Sequence, residues 1–129
     1  MGDPAIGMRG AAAVEVGTEN TALALGSGDV PVFGTPALVA LMEKAAVAAV
    51  AGSLEPGETT VGTWLEIAHL AATPLGAVVR AEAELVAVEG RKLAFAVVAH
   101  DGLQKIGEGR HQRVRVARDR FLNKLGAAP

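Results

Sequence analysis

Apolar positions in this chain follow two different periods. Between Pro36 and Ala51 nearly every residue is apolar, and Leu38, Leu41, Met42, Ala45, Ala46 and Ala49 recur at helical spacing. Thr35-Pro36 suits the start of that helix, Thr as a cap for free backbone N–H groups and Pro at the first helical position. Gly52 offers its stop, and Glu55-Pro56-Gly57-Glu58 reads as a turn. From Val61 the period becomes two: Val61, Thr63, Leu65, Ile67, His69 and Ala71 share one face, while Gly62, Trp64, Glu66, Ala68 and Leu70 share the other. After Thr73-Pro74-Leu75-Gly76, Val79, Ala81, Ala83, Leu85 and Ala87 alternate with Arg80, Glu82 and Glu84 as a half-buried strand. Glu89-Gly90 turns into Leu93–Ala99, and Asp101-Gly102, the strongest hairpin signal present, leads into a last strand through Val116. Asp119–Leu125 reads as a final helical turn.

Upstream of the helix, residues 1–10 read as a flexible lead-in. A first strand falls somewhere in Ala11–Leu25, with Val14, Val16, Leu23 and Leu25 as its apolar positions. One strand, one long buried helix and four antiparallel strands predict an α+β domain over residues 11–129, without internal repeat or linker.

Glu43 breaks the helical pattern. Its same-face neighbours three and four positions away, Val39, Ala40, Ala46 and Val47, are all apolar. A carboxylate buried there must find a partner or change its protonation. Thr35 and His69 are candidate partners, and an arginine elsewhere in the chain would make Glu43 merely structural. Thr35 and His69 have bland readings too, as a helix cap and a core histidine. His100 and His111 carry less weight, one beside the Asp-Gly turn and the other in a polar, basic strand. Arg110, Arg113, Arg115, Arg118 and Arg120 read as a solvated basic face that could also receive phosphates.

Composition narrows the function. Half the residues are hydrophobic but only 3% aromatic, so the core is built mainly of Ala and Val and its elements must approach closely. A helix apolar nearly all round needs a sheet curled about it, or cover from a second subunit. A net charge of −2 and few aromatic rings argue against nucleic acid. The absence of cysteine excludes disulfides and thiol catalysis, and no histidine pair has metal-ligand spacing, so no metal is expected. No signal-peptide pattern opens the chain, and Glu43-Lys44 interrupts its longest apolar run; a soluble cytoplasmic protein is expected. Nucleophile-elbow, Walker and dinucleotide-binding motifs are absent; Gly107-Glu108-Gly109 reads as strand.

The segments Phe33-Gly34-Thr35 to Leu41-Met42-Glu43, Leu54–Glu58, Val61-Gly62-Thr63, His69–Pro74, Val88–Arg91 and Ala99–Gly102 stand in an order that resembles hotdog-fold acyl-CoA thioesterases, the fluoroacetyl-CoA thioesterase group in particular. The resemblance runs from about Val32 to Leu125. It implies a curled antiparallel sheet around one central helix, assembled as a homodimer with two active sites at the subunit interface; pairing of dimers into a tetramer stays open. By the same resemblance Thr35, Glu43 and His69 match the catalytic trio, and Gly62 and Arg113 match substrate-contacting positions. Strand alternation argues otherwise for Arg113, because Val114 and Val116 are expected to face inward. The group's aromatic lid before the helix is replaced by Gly28-Asp29-Val30-Pro31-Val32, leaving Phe33 as the nearby aromatic substrate contact. The expected reaction is hydrolysis of an acyl-CoA thioester with no cofactor beyond the CoA of the substrate. A non-catalytic acyl-CoA-binding module is the alternative, and a hydratase ranks below both.

Overall fold

The computed structural model describes residues 2–126; Met1 and residues 127–129, which the expected lead-in and domain include, lie outside the described residues. Five antiparallel strands form one sheet: β1 Arg9–Glu15, β2 Glu58–His69, β3 Val78–Glu89, β4 Lys92–His100 and β5 Lys105–Ala117, in the spatial order β1-β3-β4-β5-β2. A short helix α1, Ala22–Leu25, precedes the long helix α2, Thr35–Val50, and α3, Arg118–Lys124, closes the described chain. The sheet curls around α2, the hotdog architecture.

Small side chains set how closely helix and sheet approach. Leu38, Leu41, Met42, Ala45, Ala46 and Ala49 are buried against Val79, Ala81, Ala83, Leu85, Leu93, Phe95, Val97 and Ala99. A buried Leu or Phe contributes about 1.5–3 kcal/mol and an alanine much less, so alanine-rich faces must pack backbone against backbone. Gly10 permits this: a Cβ there would run into the backbone of Ala45 and Ala49. β1 therefore begins inside the expected lead-in, and Gly7 and Met8 are already hydrogen-bonded to Leu85. Leu23 and Leu25, expected in a strand, are exposed on α1, which Thr21 caps and Gly26 ends at φ 73°.

Two local expectations at the ends of α2 change. The N-cap is Gly34, Thr35 is already helical, and no side chain caps the helix. At the other end a 3-10 turn, Ala51–Ser53, follows, with the Ser53 hydroxyl donating to the Val50 carbonyl at 2.7 Å. Thr35–Ser53 is long and apolar enough to cross a membrane by composition, but it carries the buried face just described. The Asp101-Gly102 turn forms as expected: Asp101 Oδ1 accepts from the N–H groups of Leu103 and Gln104 at 3.0 Å, which hold its carboxyl below the ordinary aspartate range.

A β-bulge decides what β2 presents to the helix. Gly62 pairs with Arg113 and Trp64 with Gln112, which leaves Thr63 as an extra residue. Before the bulge Thr60 and Gly62 face α2; after it the more protected positions are Leu65, Ile67 and His69. The expected single alternation therefore holds from Leu65 to His69 but reverses at Val61 and Thr63.

Candidate active site

Thr35 and His69 meet at one end of β2. Thr35 Oγ1 lies 2.7 Å from His69 Nδ1. Free of capping duty, the hydroxyl can donate to Nδ1, which places the imidazole proton on Nε2. Nε2 is buried with no partner among the described residues, and burial lowers the His69 pKa below the ordinary histidine value. The first hydrogen bond along α2 runs from the Leu38 N–H to the Gly34 carbonyl. Pro36 has no N–H, so the N–H groups of Thr35 and Ala37 are the donors that the start of a helix leaves without intrahelical partners. A cleft of about 320 Å³ opens here, lined by Thr35 and His69 with Ala22, Val32, Phe33 and Leu70 among its apolar walls. Phe33 is 1% exposed, so it belongs to the core as much as to the cleft.

Glu43 lies elsewhere in the same chain, eight residues along α2 from Thr35, about 12 Å by helix rise. Its side chain is 39% exposed, contrary to the expectation of burial, because the apolar neighbours Ala40 and Val47 are themselves exposed. Arg113 Nη1 donates to Glu43 Oε2 at 3.1 Å, and Oε1 has no hydrogen-bond partner among the described residues. Gly62 lies directly beneath: a Cβ there would stand 2.6 Å from Glu43 Oε2 and 3.2 Å from Arg113 Nη1. A second cleft of about 320 Å³ is lined by Val39, Glu43, Gly62–Leu65 and His111. One chain thus carries two separate clusters: Thr35 with His69, and Glu43 with Gly62 and Arg113.

Arg113 corrects the alternation argument. It faces inward at 7% exposure, its Nε donating to Thr60 Oγ1 at 2.8 Å and its Nη2 to the Thr60 carbonyl at 3.0 Å. Arg115 also turns inward and pairs with Glu58 at 2.7 Å, whereas Arg110, Arg118 and Arg120 are exposed. His111, given little weight in the sequence, is 1% exposed and stands 3.8 Å from Glu43. Gly107 lies against α2, where a Cβ would press on Leu38 and Met42, and from Gly107 to Arg113 the odd-numbered positions of β5 face the helix. Glu82 and Glu84 are surface residues paired with Arg80 and Arg9, as expected of a solvated face. Those pairs line a larger concavity of about 410 Å³ whose charges already have partners. No cluster of three metal-ligating side chains occurs among the described residues.

The family model for the fluoroacetyl-CoA-specific thioesterase matches residues 16–119. The chain belongs to the fluoroacetyl-CoA-specific thioesterase family. A fluoroacetyl-CoA thioesterase of Streptantibioticus cattleyicolor is 48% identical over 94 residues, which cover 73% of this chain and 68% of that protein. A crystal structure of a variant fluoroacetyl-CoA-specific thioesterase in complex with fluoroacetate and CoA superposes with a TM-score of 0.85 at 40% identity, covering 91% of this chain and 98% of the other. A Thermus thermophilus protein of the thioesterase superfamily superposes with a TM-score of 0.89 at 29% identity, covering 98% and 93%.

Proposed function

We propose that this family member hydrolyses acyl-CoA thioesters as a cytoplasmic homodimer, with Thr35, Glu43 and His69 as its catalytic residues. The chain is a thioester hydrolase by family and by its relative. The observation that carries the site is the contact between Thr35 and His69, which turns a helix-start hydroxyl toward an imidazole and leaves Nε2 unpartnered.

The homodimer reading takes the two clusters as half-sites and rests on where they lie. β2 is an edge strand, with Gly62 and Glu43 near its middle and His69 and Thr35 at its C-terminal end. Antiparallel pairing of two β2 edges centred between Leu65 and Glu66 would set Gly62, and with it Glu43, opposite the partner's His69 and the partner's Thr35. Exposed Trp64, 45% accessible, and exposed Val47 would be covered by the same step.

In that arrangement the thioester carbonyl sits at the start of α2, where backbone N–H groups stabilise the developing oxyanion. Glu43, anchored through Oε2, uses Oε1 to take a proton from water as the water oxygen adds to the carbonyl carbon. The C–S bond breaks, His69 Nε2–H steadies the departing sulfur by a hydrogen bond without giving up its proton, and the thiolate takes up the proton held by Glu43. Phe33 and its apolar neighbours form the wall beside the acyl group, and Gly62 and Arg113 hold Glu43 in register. No metal or redox group enters the scheme.

Free-thiol release from short, medium and aromatic acyl-CoA thioesters, fluoroacetyl-CoA among them, tests this reading. Turnover of at least one is expected. Calorimetric binding without any turnover would replace it by an acyl-CoA-binding module.

Gly62→Ala is expected to fold with a modest loss of thermal stability, since the new Cβ displaces the flexible Glu43 tip and also stands 3.2 Å from Arg113 Nη1 and 3.3 Å from the His111 ring. Turnover should fall about 10- to 100-fold because the Glu43 carboxylate is displaced. Unchanged turnover in a folded variant would remove Gly62 from the site.

A further inference from the structure

His111 is the buried titratable group that the mechanism above does not use. It packs between four elements: Glu43 on α2, the Trp64 carbonyl on β2, Phe95 on β4 with ring centroids 6.2 Å apart, and Arg113 on its own strand β5. Two contacts fix its proton. Nδ1 lies 2.9 Å from the Trp64 carbonyl oxygen, which can only accept, so Nδ1 carries the hydrogen. Nε2 lies 3.1 Å from Arg113 Nη1, which can only donate, so Nε2 carries the lone pair. A cationic imidazole would bear hydrogens on both nitrogens and lose the second contact.

The acceptor completes the setting of Arg113. Nε and Nη2 are held by Thr60, and the two hydrogens of Nη1 divide between Glu43 Oε2 and His111 Nε2. Thr60 fixes one edge of the guanidinium and His111 the direction of the other. Burial lowers the His111 pKa, Arg113 adds to that, and the Trp64 hydrogen bond and Glu43 oppose it.

We propose that His111, as the neutral Nδ1–H tautomer, is a positioning residue that aims Arg113 at Glu43 and thereby sets which carboxylate oxygen is left to act on water. This rests on the thioesterase reading of the Glu43 half-site. His111 touches no reacting atom; it acts through Arg113.

Two substitutions separate its two hydrogen bonds. His111→Gln places an amide oxygen near the position of Nε2 and keeps an acceptor for Arg113. His111→Asn places an amide nitrogen near Nδ1, keeps the donor to Trp64 and loses the acceptor. With the substrate that wild type turns over best, kcat should fall about 10- to 100-fold in His111→Asn, the range of a lost charge-assisted hydrogen bond. KM should stay nearly constant, and His111→Gln should recover most of the loss. Equal loss in both variants, or none in His111→Asn, overturns the proposal. Absence of turnover by wild type on every thioester is a different result, and it fails the thioesterase reading instead. Nitrogen-15 NMR of the imidazoles in wild-type protein needs no variant to fold. It should show one histidine with its proton on Nδ1 and an unprotonated Nε2 from pH 8 down through about 6.5, the ordinary histidine midpoint. A His111 protonated on Nε2 in that range overturns the proposal.

Discussion

Glu43→Gln is expected to lower thiol release about 10²- to 10⁴-fold while leaving the protein as stable as wild type. The amide still accepts a hydrogen bond from Arg113 but cannot take a proton from water. Glu43→Ala should lose as much turnover and also some stability. It leaves Arg113, whose side chain is 8% exposed, without its anionic partner. An unmet charged donor costs about 1–3 kcal/mol, and the low end applies because the Glu43 position is partly open to water. Thiol release and denaturant midpoints of the two variants, measured side by side, separate chemistry from folding. Turnover near wild type in Glu43→Gln would remove the carboxylate from the mechanism.

Thr35→Val and His69→Gln should each reduce turnover about 10²-fold, and the double variant should be no worse than the poorer single one. Groups that act as a unit are non-additive: once either side of the 2.7 Å contact is gone, the other has nothing left to contribute through it. Neither change should unfold the protein, since Thr35 is exposed and caps nothing. Losses that multiply in the double variant would show that the two residues act independently.

Much of this architecture was legible from period alone. The alternation of Val79 to Leu85 against Arg80 to Glu84, the Asp101-Gly102 turn and the apolar spacing of α2 depend on local rules that the fold obeys. The failures have one physical origin, that a periodic pattern cannot reveal where it slips. The bulge at Thr63 reverses β2 without any change of residue type, and the inward run Gly107, Gly109, His111, Arg113 was hidden by its polar members. The burial expected of Glu43 does not hold, for a reason that lies in the helix composition. The apolar neighbours of Glu43 suggested burial, but an alanine- and valine-rich helix has an apolar outer face as well, and Ala40 and Val47 lie on it. The partner of Glu43 was an arginine after all, drawn from the run read as solvated. Thr35 was assigned its proposed role by resemblance alone, whereas its local reading as a cap fails because Gly34 holds that position.

The bulge in β2 has a consequence for anyone who would redesign this chain. Gly62 and His69 stand seven residues apart, an odd spacing that a regular strand would send to opposite sides of the sheet. The irregularity at Thr63 lets both ends of the strand serve the helix side. Straightening it would improve the strand by every criterion of ideal geometry and keep every residue of the proposed site in the sequence. It would also turn one of the two clusters outward. In this fold the imperfection works as a spacer between the two clefts.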